Sequence, residues 1–306
     1  MTSPYFLNVA PGELARFGVV GAMTIEHKEL RAMHDALEAL IAKLKKAPSP
    51  AELIKALRLN ILVTGDTGTG KELVAKAFRQ RLIREDILRE GDRWYGAANC
   101  GCLSPDTLEI ELFATAEGAF TDAANQAGMV PRLAGYKVDP KKRALVGGGT
   151  DPSLLFLDEI GATHLEVQSK LLRLLENRDF SPLGMQGRYY KAPFLIILSA
   201  TNELEPEAGD RLGADSGSPN RAARRKALAA GTRMPSQGNF RRDLFYRLGD
   251  TFHFHLPPLS ERRSDILHIA QQFYQRYYQL LFDPQAKPDL PESLGDTLLD
   301  CPWPGN

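Results

Sequence analysis

The chain has 306 residues, 43% hydrophobic and 25% charged, the make-up of an ordinary globular protein long enough for one large α/β domain and a smaller one. Basic and acidic residues number 38 each, so the formal net charge is zero and no global field marks a nucleic-acid or membrane partner. Cys100, Cys102 and Cys301 make no disulfide framework, no apolar run reaches membrane-helix length, and the N-terminus has no signal-peptide pattern, so the expected location is the cytoplasm.

Five short apolar runs read as buried strands: 60–64 (NILVT), 94–98 (WYGAA), 153–157 (SLLFL), 194–199 (FLIILS) and 251–256 (TFHFHL). Helical stretches follow the first (KELVAKAFRQRLI) and the third (LEVQSKLLRLLENR). Strands alternating with helices predict an α/β fold with a parallel sheet covered on both faces. His253 and His255 alternate as one face of the last run rather than as metal ligands, and Cys100-x-Cys102 has no second ligand pair, so small buried residues are expected there. After Pro257 and Pro258, residues 260–282 read as an amphipathic helix with Ile266, Ile269, Phe273 and Tyr277 on one stripe. Residues 130–152 and 205–239 are rich in Gly, Pro and charge and read as loops or excursions from the core. The basic run Arg221, Arg224, Arg225 and Lys226 is expected to be a solvated face.

The chemistry concentrates in GDTGTGK, where Gly65 and Gly70 bracket four residues and Lys71 follows. Gly65, Asp66, Thr67, Gly68, Thr69 and Gly70 leave a strand and enter a helix, so backbone N–H groups and the helix N-terminus can cradle phosphates. Lys71 adds a point charge for the β- and γ-phosphates, which makes ATP the expected ligand. Glu72 stands where Ser or Thr commonly holds Mg²⁺, so either other ligands and water hold the ion or hydrolysis is impaired. Asp158 and Glu159 end the third run, where open α/β sheets bind ligands. Asp158 would hold Mg²⁺ through water, and Glu159 would polarise the attacking water. Asn99, Thr201 and Asn202 close neighbouring strands and could contact the γ-phosphate or the water, or serve as plain caps.

These pieces occur together with ELFATAEGAFTDA, FRRDLFYRL, LPPLSERRSDI and CPWPGN. The chain thereby resembles the central AAA+ ATPase domain of sigma-54-dependent transcriptional activators, from about Val19 to Asn306 apart from the two excursions. The resemblance implies a five-stranded sheet of order 5-1-4-3-2, a tail over 1–16, a nucleotide-binding unit over 17–256 and a truncated helical lid over 257–306. It places Val20 and Gly21 at the adenine and makes Glu72 a family mark. It casts Asn99 as a restraint on Glu159, Thr201 and Asn202 as the first sensor, and Arg241 and Arg247 as fingers into a neighbouring subunit's site. A homo-oligomeric ring, a hexamer or a heptamer, is implied. The chain ends inside the motif whose continuation carries the family's second sensor arginine, so it reads as a fragment or a lid-truncated form, with any DNA-binding domain elsewhere.

The family's loop Gly-Ala-Phe-Thr-Gly-Ala reads here with Asp122 in the fifth place, so Phe120, Thr121 and Asp122 are the expected partner contact. Three functions stay open on the sequence. One is an ATP-driven motor that remodels sigma-54 RNA polymerase. Another is an ATPase of the same lineage acting on a different protein. The third is a nucleotide-gated binding module with little hydrolysis. A DNA translocase has no motif beyond the shared ATPase core to support it.

Overall fold

Nine strands lie among the described residues: β1 (Asn60–Thr64), β2 (Tyr95–Asn99), β3 (Tyr136–Asp139), β4 (Ala144–Gly147), β5 (Ser153–Asp158), β6 (Asp179–Phe180), β7 (Tyr190–Lys191), β8 (Leu195–Thr201) and β9 (Phe252–His255). The computed structural model describes residues 27–114, 128–139, 144–185, 187–202 and 240–306. Val20, Gly21, Phe120, Thr121, Asp122 and the basic run from Arg221 to Lys226 lie outside them.

Each of the five apolar runs forms a strand of one sheet, in the order β2-β5-β8-β1-β9. Numbering only these five in chain order and reading from the β9 edge gives 5-1-4-3-2, as the resemblance implies. β1 pairs with β8, β8 with β5 and β5 with β2, all parallel. β1 and β8 are buried along their whole length, and β5 is buried up to Asp158. Continuous burial is what an unbroken apolar strand requires, because a parallel sheet is covered on both faces.

By packing, the chain divides into two units, one with residues 49–64 and 89–253 and the other with 27–48, 65–88 and 254–306. In the first, helix Pro105–Phe113 starts at Ser104, whose hydroxyl accepts the N–H of Thr107 at 3.3 Å, with proline in its first turn. Helix Leu165–Asn177 turns Val167, Leu171, Leu174 and Leu175 into the core beside Leu155, Leu157 and Leu195. Helix Arg242–Leu248 adds Leu244 and Leu248.

The excursion at 130–152 is more than a loop. Helix Met129–Leu133 and the antiparallel pair β3–β4 occupy it, and Val130, Leu133 and Leu145 join the core. Its glycines and lysines conceal enough apolar residues for a local fold. Tyr136, Phe180 and Tyr190 form an aromatic cluster with ring centroids 5.4–5.7 Å apart.

In the second unit, helix Lys28–Lys46 buries Leu30, Met33, Leu37, Leu40, Ile41 and Leu44 along one face. Helix Lys71–Arg84 buries Val74, Ala75, Phe78 and Leu82. Arg81 ties the two together with a bidentate pair to Glu38, 3.1 Å at each oxygen. Helix Arg263–Leu281 forms as expected, but of its stripe Ile266 is buried while Phe273 and Tyr277 are exposed and stack at 6.3 Å. Among the described residues no helix is long and apolar enough to cross a membrane.

Candidate functional site

Gly65 to Gly70 leave β1 and open helix Lys71–Arg84 directly. Gly68 (φ 84°) and Gly70 (φ 101°) lie in the left-handed region, which curls the loop so that the helix begins at Lys71 with no side-chain cap. Its first-turn N–H groups are therefore left for an anion. Lys71 is buried, and its ammonium donates to the carbonyls of Gly65 (2.7 Å) and Asp66 (2.9 Å). Thr69 braces the loop from inside, its hydroxyl donating to the Asp66 carbonyl at 2.8 Å. Glu72 pairs along the helix with Lys76 at 2.8 Å.

One contact here was not singled out in the sequence. Arg262, buried beside Asp265, donates to the Thr69 carbonyl at 2.9 Å. It lies in the motif LPPLSERRSDI, but nothing local marks it as a brace for the phosphate loop. Asn306 donates to the Thr67 carbonyl at 3.0 Å.

In the other unit the strand register brings four polar residues to one end of the sheet. Thr64 pairs with Thr201 and Asn99 with Asp158, on neighbouring parallel strands. Asp158 turns a carboxylate oxygen back to accept the N–H of Glu159 at 2.9 Å. Glu159 adopts a left-handed conformation (φ 52°, ψ 38°) that costs a non-glycine residue about 1–2 kcal/mol. The following turn holds it there, as Ala162 N–H donates to the Glu159 carbonyl at 2.9 Å. The Glu159 carboxylate lies over Gly101, where an added Cβ would come within 2.2 Å of Oε2.

Asn99 uses its carbonyl oxygen to accept the N–H groups of Gly101 (2.9 Å) and Cys102 (3.1 Å). No hydrogen bond joins it to Glu159 among the described residues; it shapes the turn over which that carboxylate lies. Thr201 is buried and accepts the Gly161 N–H at 3.2 Å, while Asn202 is exposed at the end of the same strand. Cys100 is buried, and burial pushes its thiol up to about 12, whereas Cys102 is exposed, against the expectation for that residue. His253 of β9 hydrogen-bonds Thr64 at 3.1 Å.

Arg241 caps the N-terminus of helix Arg242–Leu248 and is half-buried, and Arg247 lies in the helix's last turn and is exposed. Arg241 grips Asp243 (3.0 and 2.7 Å) and the Ser169 hydroxyl (2.9 Å). The Asp243 carboxyl is held below the usual carboxylate range by that pairing. Arg247 donates to Glu176 at 2.9 Å and reaches Asp250 at 3.5 Å. Gln168, fully buried, accepts the Arg241 N–H at 2.8 Å and donates to the Thr163 carbonyl at 2.7 Å, fixing where the helix starts. A glutamine inside an apolar helix face was the available signal for that role.

Residues 36–136 and 143–213 match the family model described as the sigma-54 interaction domain. The chain belongs to the sigma-54 interaction domain family. Its fold is the AAA+ P-loop NTPase fold, built on a five-stranded sheet. Among curated relatives, the sigma54-dependent transcriptional activator SfnR of Pseudomonas putida is 35% identical over 88% of this chain and 57% of its own length. The regulatory protein LuxO of Vibrio cholerae is 32% identical over 83% of this chain and 38% of its own. The formate hydrogenlyase transcriptional activator FhlA of Escherichia coli is 30% identical over 88% and 31%. The chain thus spans between about a third and somewhat over half of these relatives. The solved structure of NtrX from Brucella abortus in complex with ATP shares the fold, with TM-score 0.57 and 22% identity over 96% of this chain and 50% of that one.

Proposed function

We propose that this sigma-54 interaction domain is an ATP-hydrolysing motor that remodels sigma-54 RNA polymerase to activate transcription. The observation that carries the reading is the row of polar strand ends, Thr64, Thr201, Asp158 and Asn99, in a chain whose phosphate loop leaves β1 at Thr64. Gly65 to Glu72, with Val20 and Gly21, bind the nucleotide. Lys71 leaves its two loop carbonyls for the β- and γ-phosphate oxygens, and Glu159 orients a water for in-line attack on the γ-phosphorus. The water's proton passes toward Glu159 as the new P–O bond forms and the bond to the bridging oxygen breaks, giving ADP and phosphate. Thr201 and Asn202 report the γ-phosphate to the rest of the fold.

Mg²⁺ fits the donors present. Among the described residues no group of three metal-ligating side chains occurs, and this ion prefers one or two carboxylates, several waters and the substrate's phosphates. Asp158, half-buried at its strand end, is the carboxylate that would hold it. When bound, the ion neutralises charge on the β- and γ-phosphates. Arg241 and Arg247 complete a neighbouring copy's site, which requires a homo-oligomeric ring, a hexamer in this proposal. DNA binding belongs to regions outside this chain, and the working compartment is the cytoplasm.

A second reading rests on Asp122. A carboxylate at the contact costs affinity unless a cation meets it, which would redirect the motor to a partner with a basic pocket. Sigma-54 binding in the presence of ADP and aluminium fluoride, with open-complex formation, tests both readings on wild type, Asp122→Gly and Phe120→Ala. The primary reading expects wild type to engage sigma-54 and Phe120→Ala to lose about 1.5–3 kcal/mol of it. Engagement by Asp122→Gly alone selects the redirected motor. Engagement that Phe120→Ala leaves unchanged excludes this loop as the contact.

A further inference from the structure

A cavity of about 370 Å³ in the unit that holds most of the sheet is lined by Lys55, Arg58, Asn177, Arg178, Lys191 and Pro193. It lies where β1 begins, since Arg178 donates to the Leu59 carbonyl (3.0 Å) and to the Asn60 side chain (2.9 Å). Thr64 and Thr201, at the phosphate-loop end of β1 and β8, are at the other end of those strands.

Four of the six lining side chains are cationic. Arg178 is 3% exposed, and its other acceptors are the Leu174 and Leu175 carbonyls at 3.2 Å. Its Nε is buried with no hydrogen-bond partner. Among the described residues Arg58 donates only to the Glu176 carbonyl, at 2.5 Å. Among the described residues neither guanidinium has a carboxylate partner. Lys55 pairs with Glu52 at 3.1 Å and Lys191 with Asp179 at 2.6 Å, so two carboxylates face four cations. Burial, and then the charge of Arg58, lower the Arg178 guanidinium to about 10.

A cap for helix Leu165–Asn177 explains the carbonyl contacts of Arg178, but a glycine or asparagine in the same left-handed position would close the helix without burying a charge. Nor does a cap call for three more cations around a cavity. Guanidinium forks match the oxygens of phosphate groups, and several cations around one cavity match a multivalent anion. The volume suits a small molecule. We propose that this cavity binds a small anion bearing more than one phosphate group, at a site separate from the phosphate loop.

Pyrophosphate is the probe, titrated calorimetrically at low salt into the whole chain carrying Lys71→Ala, which removes the phosphate-loop lysine. Citrate, a polycarboxylate, is titrated in parallel. The expected result is saturable binding of one pyrophosphate per chain, weakened by roughly tenfold or more when Arg58→Gln and Lys191→Gln are added. Both added changes replace exposed side chains, so the fold survives them, and Arg178 is left in place. Three results would overturn the proposal: no saturable binding to Lys71→Ala, binding unchanged by the two glutamines, or citrate binding as tightly as pyrophosphate.

Discussion

Replacing Arg247 by alanine will lower ATP turnover by roughly 10³-fold or more while ATP affinity stays nearly constant, and Arg241→Ala will do the same. Within one chain both guanidiniums are already bound, Arg247 to Glu176 and Asp250 and Arg241 to Asp243 and Ser169. All the ion pairs involved are substantially exposed, and such pairs contribute about 0–1 kcal/mol. They are therefore cheap to exchange for the developing charge on a neighbour's γ-phosphate. The same figure sets the expected loss of stability on substitution, so an inactive variant should still melt near wild type. Mixing Arg247→Ala with Glu159→Gln chains should restore part of the turnover, because some contacts then pair an intact Glu159 with an intact arginine. Phosphate release measured across mixing ratios decides this. No recovery at any ratio would mean that the arginines act within their own chain or not at all.

The second large effect is expected at Glu159 itself. Glu159→Gln should keep ATP binding and lower turnover by about 10²–10⁴, because the amide cannot take the water's proton. The backbone there is in a strained conformation, held by the turn that Ala162 closes, which presents the carboxylate over Gly101 instead of along the strand. Glutamine tolerates that conformation no worse than glutamate does, so the substitution changes chemistry and leaves the geometry. Single-turnover hydrolysis beside equilibrium ATP binding separates the two. Wild-type turnover in this variant would remove Glu159 from the mechanism.

Strands were the most legible part of the sequence. Runs such as NILVT and SLLFL are unbroken because both faces of the sheet are covered, and each forms a strand within two residues of its expected bounds. Their order was not in any periodicity; it came with the resemblance. The excursion at 130–152 was misjudged because its glycines, prolines and lysines read as loop composition, while Val130, Leu133 and Leu145 supply enough apolar surface to dock. The Arg263–Leu281 helix shows the converse, since helical spacing placed Phe273 on its stripe without showing that a neighbour covers it. At the candidate site, residue types at strand ends were readable and conformation was not. Nothing local in LDEIG announces that Glu159 is left-handed. Arg178, Gln168 and Arg262 escaped notice for one reason: each is buried against residues distant in the chain, Leu59, Arg241 and Thr69 respectively.

The most direct measurement is phosphate release from MgATP by the isolated chain over a wide range of protein concentration, with Lys71→Ala beside wild type. Shared sites predict release that is absent from Lys71→Ala and whose rate per chain climbs with concentration as copies meet. No release from wild type at any concentration, or release equally fast from Lys71→Ala, would contradict the account.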